Sequence, residues 1–132
     1  MTRVFKSKQI IQTLTAQELE NLVNDFKAYK SGEYTPDLFG RDVLYDHMDT
    51  PPLVKQEEVQ HIHLLDKDHT YPFHAIQFSK TSDTHLVYCQ GFANPNCYLL
   101  MAILSPNAHD LAKSPQVMHQ LGIMAEAFRL KY

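Results

Sequence analysis

A chain of 132 residues, 44% hydrophobic and 20% charged, is long enough for one domain with an ordinary core and too apolar to be disordered. Twelve Lys and Arg against fifteen Asp and Glu leave a formal net charge of −3, which argues against a large basic surface that grips nucleic acid unaided. No apolar run approaches ~18 residues, and the opening MTRVFKSK lacks an apolar h-region, so neither a membrane span nor a signal peptide is expected and a cytoplasmic location is.

The chain shows no internal repeat and reads as a single domain, 1–132. A short strand is expected at Thr2–Ser7. Thr15 and Glu18 then form a capping box, and Leu19, Leu22, Val23, Phe26 and Tyr29 follow helical spacing until Gly32 ends the run. Thr35-Pro36-Asp37 carries the signature of a second, short helix, with threonine as cap and proline at the first helical position. The stretch 46–58, with Pro51-Pro52, reads as a loop.

Three strands are expected next, at Val59–Leu65, His85–Gln90 and Cys97–Leu104, the last two joined through the hairpin segment GFANPN. Between the first two of these strands, Asp66–Thr84 runs nineteen residues with little periodicity. A segment of that length is either a functional loop or a short extra strand at 75–78 leading into a hairpin. Val117, Leu121, Met124, Ala125 and Phe128 mark a closing helix. The fold expected is α+β, an antiparallel sheet of four or five strands with helices packed against it. Cys89 and Cys97 lie in apolar strands and read as buried free thiols.

The pair His61 and His63 carries the most chemistry. Alternate residues of a strand share a face, so both imidazoles project together, expected toward solvent on one side of the sheet while Ile62 and Leu64 feed the core. Three readings stay open: two harmless surface histidines, an acid–base pair for RNA cleavage, or two ligands of a metal with His85 or His74 as the third. No HExxH, CxxC or carboxylate-rich loop accompanies the pair, so the metal signal is weak. Lys80, Arg41 and Arg129 are candidates for holding a phosphate, against a structural alternative of surface ion pairs. Tyr132, and Tyr88 if it is not in the core, are candidates for stacking on bases.

Seven stretches taken in order give a wider match: RVFKSK (3–8), LTAQELENLVNDFKAYK (14–30), PDLFGRDVLYD (36–46), VQHIHL (59–64), QFSKTSDTHLVYCQG (77–91), LLMAILSPNAHDLAK (99–113) and MAEAFRLKY (124–132). Together they resemble the YafO family of type II toxins over essentially the whole chain. The resemblance implies a ribosome-dependent mRNA endoribonuclease, metal-independent, that inhibits translation and is neutralised by a cognate antitoxin. Its partners would be that antitoxin, the ribosome and mRNA, with no membrane and no small-molecule cofactor. It also implies a RelE-like toxin architecture. By that analogy His61, His63, Lys80 and Arg129 are the catalytic candidates, and Tyr132, Arg41 and His85 the substrate contacts. The histidines and the acidic net charge depart from the lysine- and arginine-rich site typical of RelE toxins. Two alternatives remain, a metal-dependent enzyme built on His61 and His63 and a non-catalytic ribosome-binding inhibitor.

Overall fold

The structure is a computed structural model describing residues 1–65, 77 and 80–132. Most of the long connection after the histidine strand, including three of the four positions 75–78, lies outside these residues. Among the described residues the order is β1 (Arg3–Lys6), α1 (Lys8–Thr13), α2 (Ala16–Lys30), β2 (Phe39–Leu44), α3 (Pro52–Gln56), β3 (Gln60–Leu64), β4 (His85–Gln90), β5 (Cys97–Leu104), α4 (Ala108–Leu111) and α5 (Pro115–Lys131). The strands form one sheet in the order β1-β5-β4-β3-β2. All neighbours are antiparallel except the edge pair β1 and β5, which is parallel. This is the expected α+β architecture, consistent with the RelE-like arrangement.

Local chemistry accounts for α2. The Thr15 side chain accepts the Glu18 N–H at 3.1 Å, and the Glu18 carboxylate accepts the Thr15 N–H at 2.9 Å. At the other end Gly32 adopts φ +80, and the N–H groups of Gly32 and Glu33 return to the carbonyls of Tyr29 and Ala28. That paired closure needs a left-handed residue, which glycine supplies without a Cβ clash. Phe26 is fully buried against Ile62, Leu86, Tyr88 and Leu100, and truncating it to alanine would cost about 3–5 kcal/mol.

Three elements differ from expectation. Phe39–Leu44 is a strand, where Thr35-Pro36-Asp37 suggested a helix. The Pro36 carbonyl accepts the Phe39 N–H at 2.9 Å in a turn, and the chain then pairs with β3 while Phe39 buries fully. Pairing and burial together outweigh a local start signal. The loop expected at 46–58 contains α3, which begins on Pro52. Ser7 caps α1, a six-residue helix too short to give a periodic signal.

Both faces of the sheet are covered. One carries α1 and α2 over Ile62, Leu86, Tyr88 and Leu100. The other carries α3, α4 and α5 over Val59, Val87, Cys89, Met101 and Leu104. Gly122 of α5 meets α3 so closely that a Cβ there would stand 3.1 Å from the Leu53 side chain. Because α5 covers only part of its face, the histidine end of the sheet beneath β2 and β3 is left to line a pocket.

Candidate functional site: a histidine pocket

Period-two alternation puts His61 and His63 of β3 on the α5 side of the sheet, with Ile62 in the opposite core. In the antiparallel register His63 lies opposite His85, and His61 opposite Val43 of β2. The sheet thereby adds His85 to the pair. Ring centroids are 5.2 Å apart for His61 and His63, 4.4 Å for His61 and His85, and 4.4 Å for His63 and His85.

The expectation that the pair faces solvent is corrected. His61, His63 and His85 are 7%, 3% and 2% exposed. Tyr45, just beyond β2, stacks on His61 and shuts its outer face. Alternation fixes which side a residue takes, not what lies above that side, and here Tyr45 and α4 close it over.

The three rings line a pocket of about 550 Å³ whose wall also includes Arg41, Thr81, His109 and Lys113. Burial, reinforced by the neighbouring histidines, pushes His61 down to about 2 and His85 down to about 3. His63 is lowered too, chiefly by burial and against a backbone hydrogen bond at Ser82. All three are neutral imidazoles at cellular pH, their lone pairs unprotonated and their basicity weakened by burial. The Ser82 N–H stands 2.8 Å and the Ser82 carbonyl 2.9 Å from His63 Nδ1, so that residue supports either tautomer. His61 Nδ1 and His85 Nε2 are buried with no hydrogen-bond partner.

Sequence reasoning missed His109 and Asp83. Asp83 Oδ1 accepts the backbone N–H of His109 at 2.9 Å and lies 2.8 Å from its Nδ1. Those bonds hold the Asp83 carboxyl below its ordinary range, hence ionised. His109 is exposed at the rim, its ring centroid 5.3 Å from that of His85 and 6.0 Å from that of His63. Twenty-six residues separate the partners in sequence, so no local motif signals the pair.

The other expected residues divide. Arg41 lines the pocket, and its N–H donates to the Lys80 carbonyl at 2.8 Å, which ties Lys80 beside it although Lys80 is not itself among the lining residues. Arg129 and Tyr132 are not brought to the pocket. Arg129 reaches Glu57 at 3.6 Å and Glu58 at 3.5 Å and lies over the Phe92 ring. Tyr132 packs on Phe5 and Phe128, and its carbonyl accepts the Asn94 backbone N–H at 2.6 Å. Tyr88 is a core residue on the α2 side, where its hydroxyl lies 2.8 Å from Lys30 Nζ and 2.7 Å from Asp42 Oδ1.

Comparison with known proteins places the chain in a family. A family model described as "Toxin YafO, type II toxin-antitoxin system" matches residues 27–130, a span that contains every residue lining the pocket. The mRNA interferase toxin YafO of Escherichia coli (strain K12) is 50% identical over 131 residues, covering 98% of this chain and 99% of that protein. No solved structure matches the chain. The chain belongs to the YafO toxin family of type II toxin–antitoxin systems.

Proposed function

We propose that this toxin is a ribosome-dependent mRNA endoribonuclease and that the histidine pocket is its reacting centre. The family gives it a cognate antitoxin, and its half-identical relative is named an mRNA interferase toxin. The observation that carries the assignment to the pocket is the meeting of three neutral, buried imidazoles with a rim of Arg41, Lys113 and the Asp83–His109 pair.

In this reading His63, the one of the β3 pair whose lowering is opposed by a hydrogen bond at Ser82, accepts the ribose 2′-OH proton while the 2′-oxygen attacks phosphorus. The bond to the 5′-oxygen breaks, leaving a 2′,3′-cyclic phosphate. His109, oriented through Nδ1 by Asp83, supplies the proton that the departing 5′-oxygen takes up. Arg41, with Lys80 beside it, and Lys113 offset the charge that builds on the phosphoryl oxygens. His85, facing His63, keeps the place of a substrate contact. The ribosome positions the message, which removes the need for a basic surface in a chain of net charge −3. Such a toxin works in the cytoplasm. Consistent with that, no helix among the described residues is long and apolar enough to cross a membrane.

The test is cleavage mapping on a translated mRNA with and without ribosomes. Cuts that require ribosomes, with cyclic-phosphate ends, are expected. Equal cutting of naked mRNA removes the ribosome from the proposal, and translation arrest without any cut mRNA removes the chemistry.

A further inference from the structure

We propose that His61, His63 and His85 form a binding site for a zinc-class divalent cation, with its remaining coordination position open to the pocket. One ring nitrogen from each of the three lies within 4.8 Å of the others. Bonds of about 2.0–2.1 Å to zinc place tetrahedral ligand nitrogens ~3.3 Å apart, so small side-chain rotations complete the arrangement. Neutral imidazoles are the ligands that zinc, copper and nickel favour, whereas magnesium and calcium demand oxygen.

A second observation points to the same place. His61 Nδ1 and His85 Nε2 are buried without hydrogen-bond partners, and the residues carrying them are 7% and 2% exposed. Two such atoms side by side are costly unless a cation or water takes their lone pairs. The surrounding contacts suit ligands. The Ser82 carbonyl stands 2.9 Å from His63 Nδ1, and the Tyr45 hydroxyl 3.0 Å from His85 Nδ1. The Tyr45 oxygen can accept the His85 Nδ1–H, the tautomer that turns the unpartnered His85 Nε2 to an ion. Tyr45 stacked on His61 holds the third ring. Asp46 and Asp49 on the pocket wall offset the positive charge of Arg41 and Lys113.

The inference does not depend on where or whether mRNA is cut, because it requires only the lone pairs. The same lone pairs cannot hold an ion and take a ribose proton at once, so metal occupancy and acid–base use of the trio exclude each other.

The experiment strips purified full-length toxin with a chelator and titrates it with Co²⁺, followed by visible absorption. Expected are the intense bands of tetrahedral Co²⁺, saturation at one equivalent, and displacement of the bands by Zn²⁺. His85→Gln should weaken binding ~10²-fold or more, and His119→Ala, at an exposed position of α5 away from the pocket, should leave it unchanged. A wild-type imidazole NMR spectrum needs no variant: on adding Zn²⁺, three of the eight histidine rings should move, those of His61, His63 and His85. Absence of tetrahedral bands, undiminished binding by a folded His85→Gln protein, or shifts confined to other rings would overturn the site.

Discussion

The ring of Tyr45 lies almost flat on that of His61, centroids 3.9 Å apart and planes 15° from parallel, while its hydroxyl reaches His85 Nδ1 at 3.0 Å. One side chain from the end of β2 therefore braces histidines from β3 and β4. Burial raises the Tyr45 phenol far above its ordinary range, so the O–H stays on the oxygen. Tyr45→Phe keeps the stack and loses one hydrogen bond, a cost of about 1 kcal/mol. Tyr45→Ala loses both and leaves a cavity, a cost of about 3–5 kcal/mol. Urea denaturation of the two variants separates these contributions, and equal losses would mean that the hydroxyl, not the ring, holds the site.

Acid should unfold the metal-free protein through the same three rings. Unfolded histidine titrates near 6.5, while folded His61 and His85 are held down to about 2 and about 3 and His63 is lowered. Below pH 6.5 the unfolded chain therefore binds more protons than the folded one, and stability falls as pH falls through that window. Each ring held neutral contributes up to about 1.4 kcal/mol per pH unit. Denaturation midpoints at pH 7.5, 6 and 5 in chelator measure this. A flat profile to pH 5 would mean that the rings take up protons inside the fold.

His109→Ala should slow mRNA cleavage on ribosomes by ~10²–10⁴-fold, the usual worth of a positioned proton carrier. Its side chain is exposed, so the melting temperature should barely change. Asp83→Asn leaves the ring in place without its carboxylate and should give a smaller loss. His61→Ala and His63→Ala differ, because each opens a cavity in a buried cluster and destabilises as well as slows. Near wild-type cutting by His109→Ala would remove the rim histidine from the chemistry.

Arg129→Ala should act on stability. The guanidinium, with its side chain 10% exposed, sits between Glu57 and Glu58, and losing it leaves the part-buried Glu57 carboxylate unpaired at a cost of about 1–3 kcal/mol, while the 65% exposed Glu58 adds little. Cleavage per folded molecule, measured well below the variant's melting temperature, should hold. A cleavage defect in fully folded protein would return Arg129 to the reacting centre.

Burial pushes the Cys89 thiol up to about 12, and Cys97 is 1% exposed. Iodoacetamide at pH 8 should modify neither until the protein unfolds, since the thiolate is the reactive form. Rapid labelling of native protein would show that the β4–β5 core opens easily.

What the residues disclosed in advance depended on how local the cause was. The capped helix at Thr15, the hairpin at GFANPN and the shared side of His61 and His63 all follow from spacings of a few residues, and all appear in the structure. β2 did not, because its pairing with β3 is a contact across some twenty residues that contradicts the start signal at Thr35. The burial of the histidines was hidden for a related reason: period two separates two sides but is silent about Tyr45 and α4 closing one of them. The Asp83–His109 pair exists only after β4, β5 and the turn beyond them bring the two residues together.

β1 is made first and paired last. Arg3–Lys6 has no partner until Cys97–Leu104 has been synthesised, and the Ser7 hydroxyl then reaches across 94 positions to the Met101 carbonyl at 2.6 Å. Phe5 waits longer still, for Phe128 on α5. Contacts between such distant segments form slowly and leave an unpaired apolar strand exposed meanwhile. A nascent chain halted before α4 and α5 therefore has neither the rim that carries His109 nor the helix that seats the sheet. The toxin is assembled only after its own message has been read almost throughout.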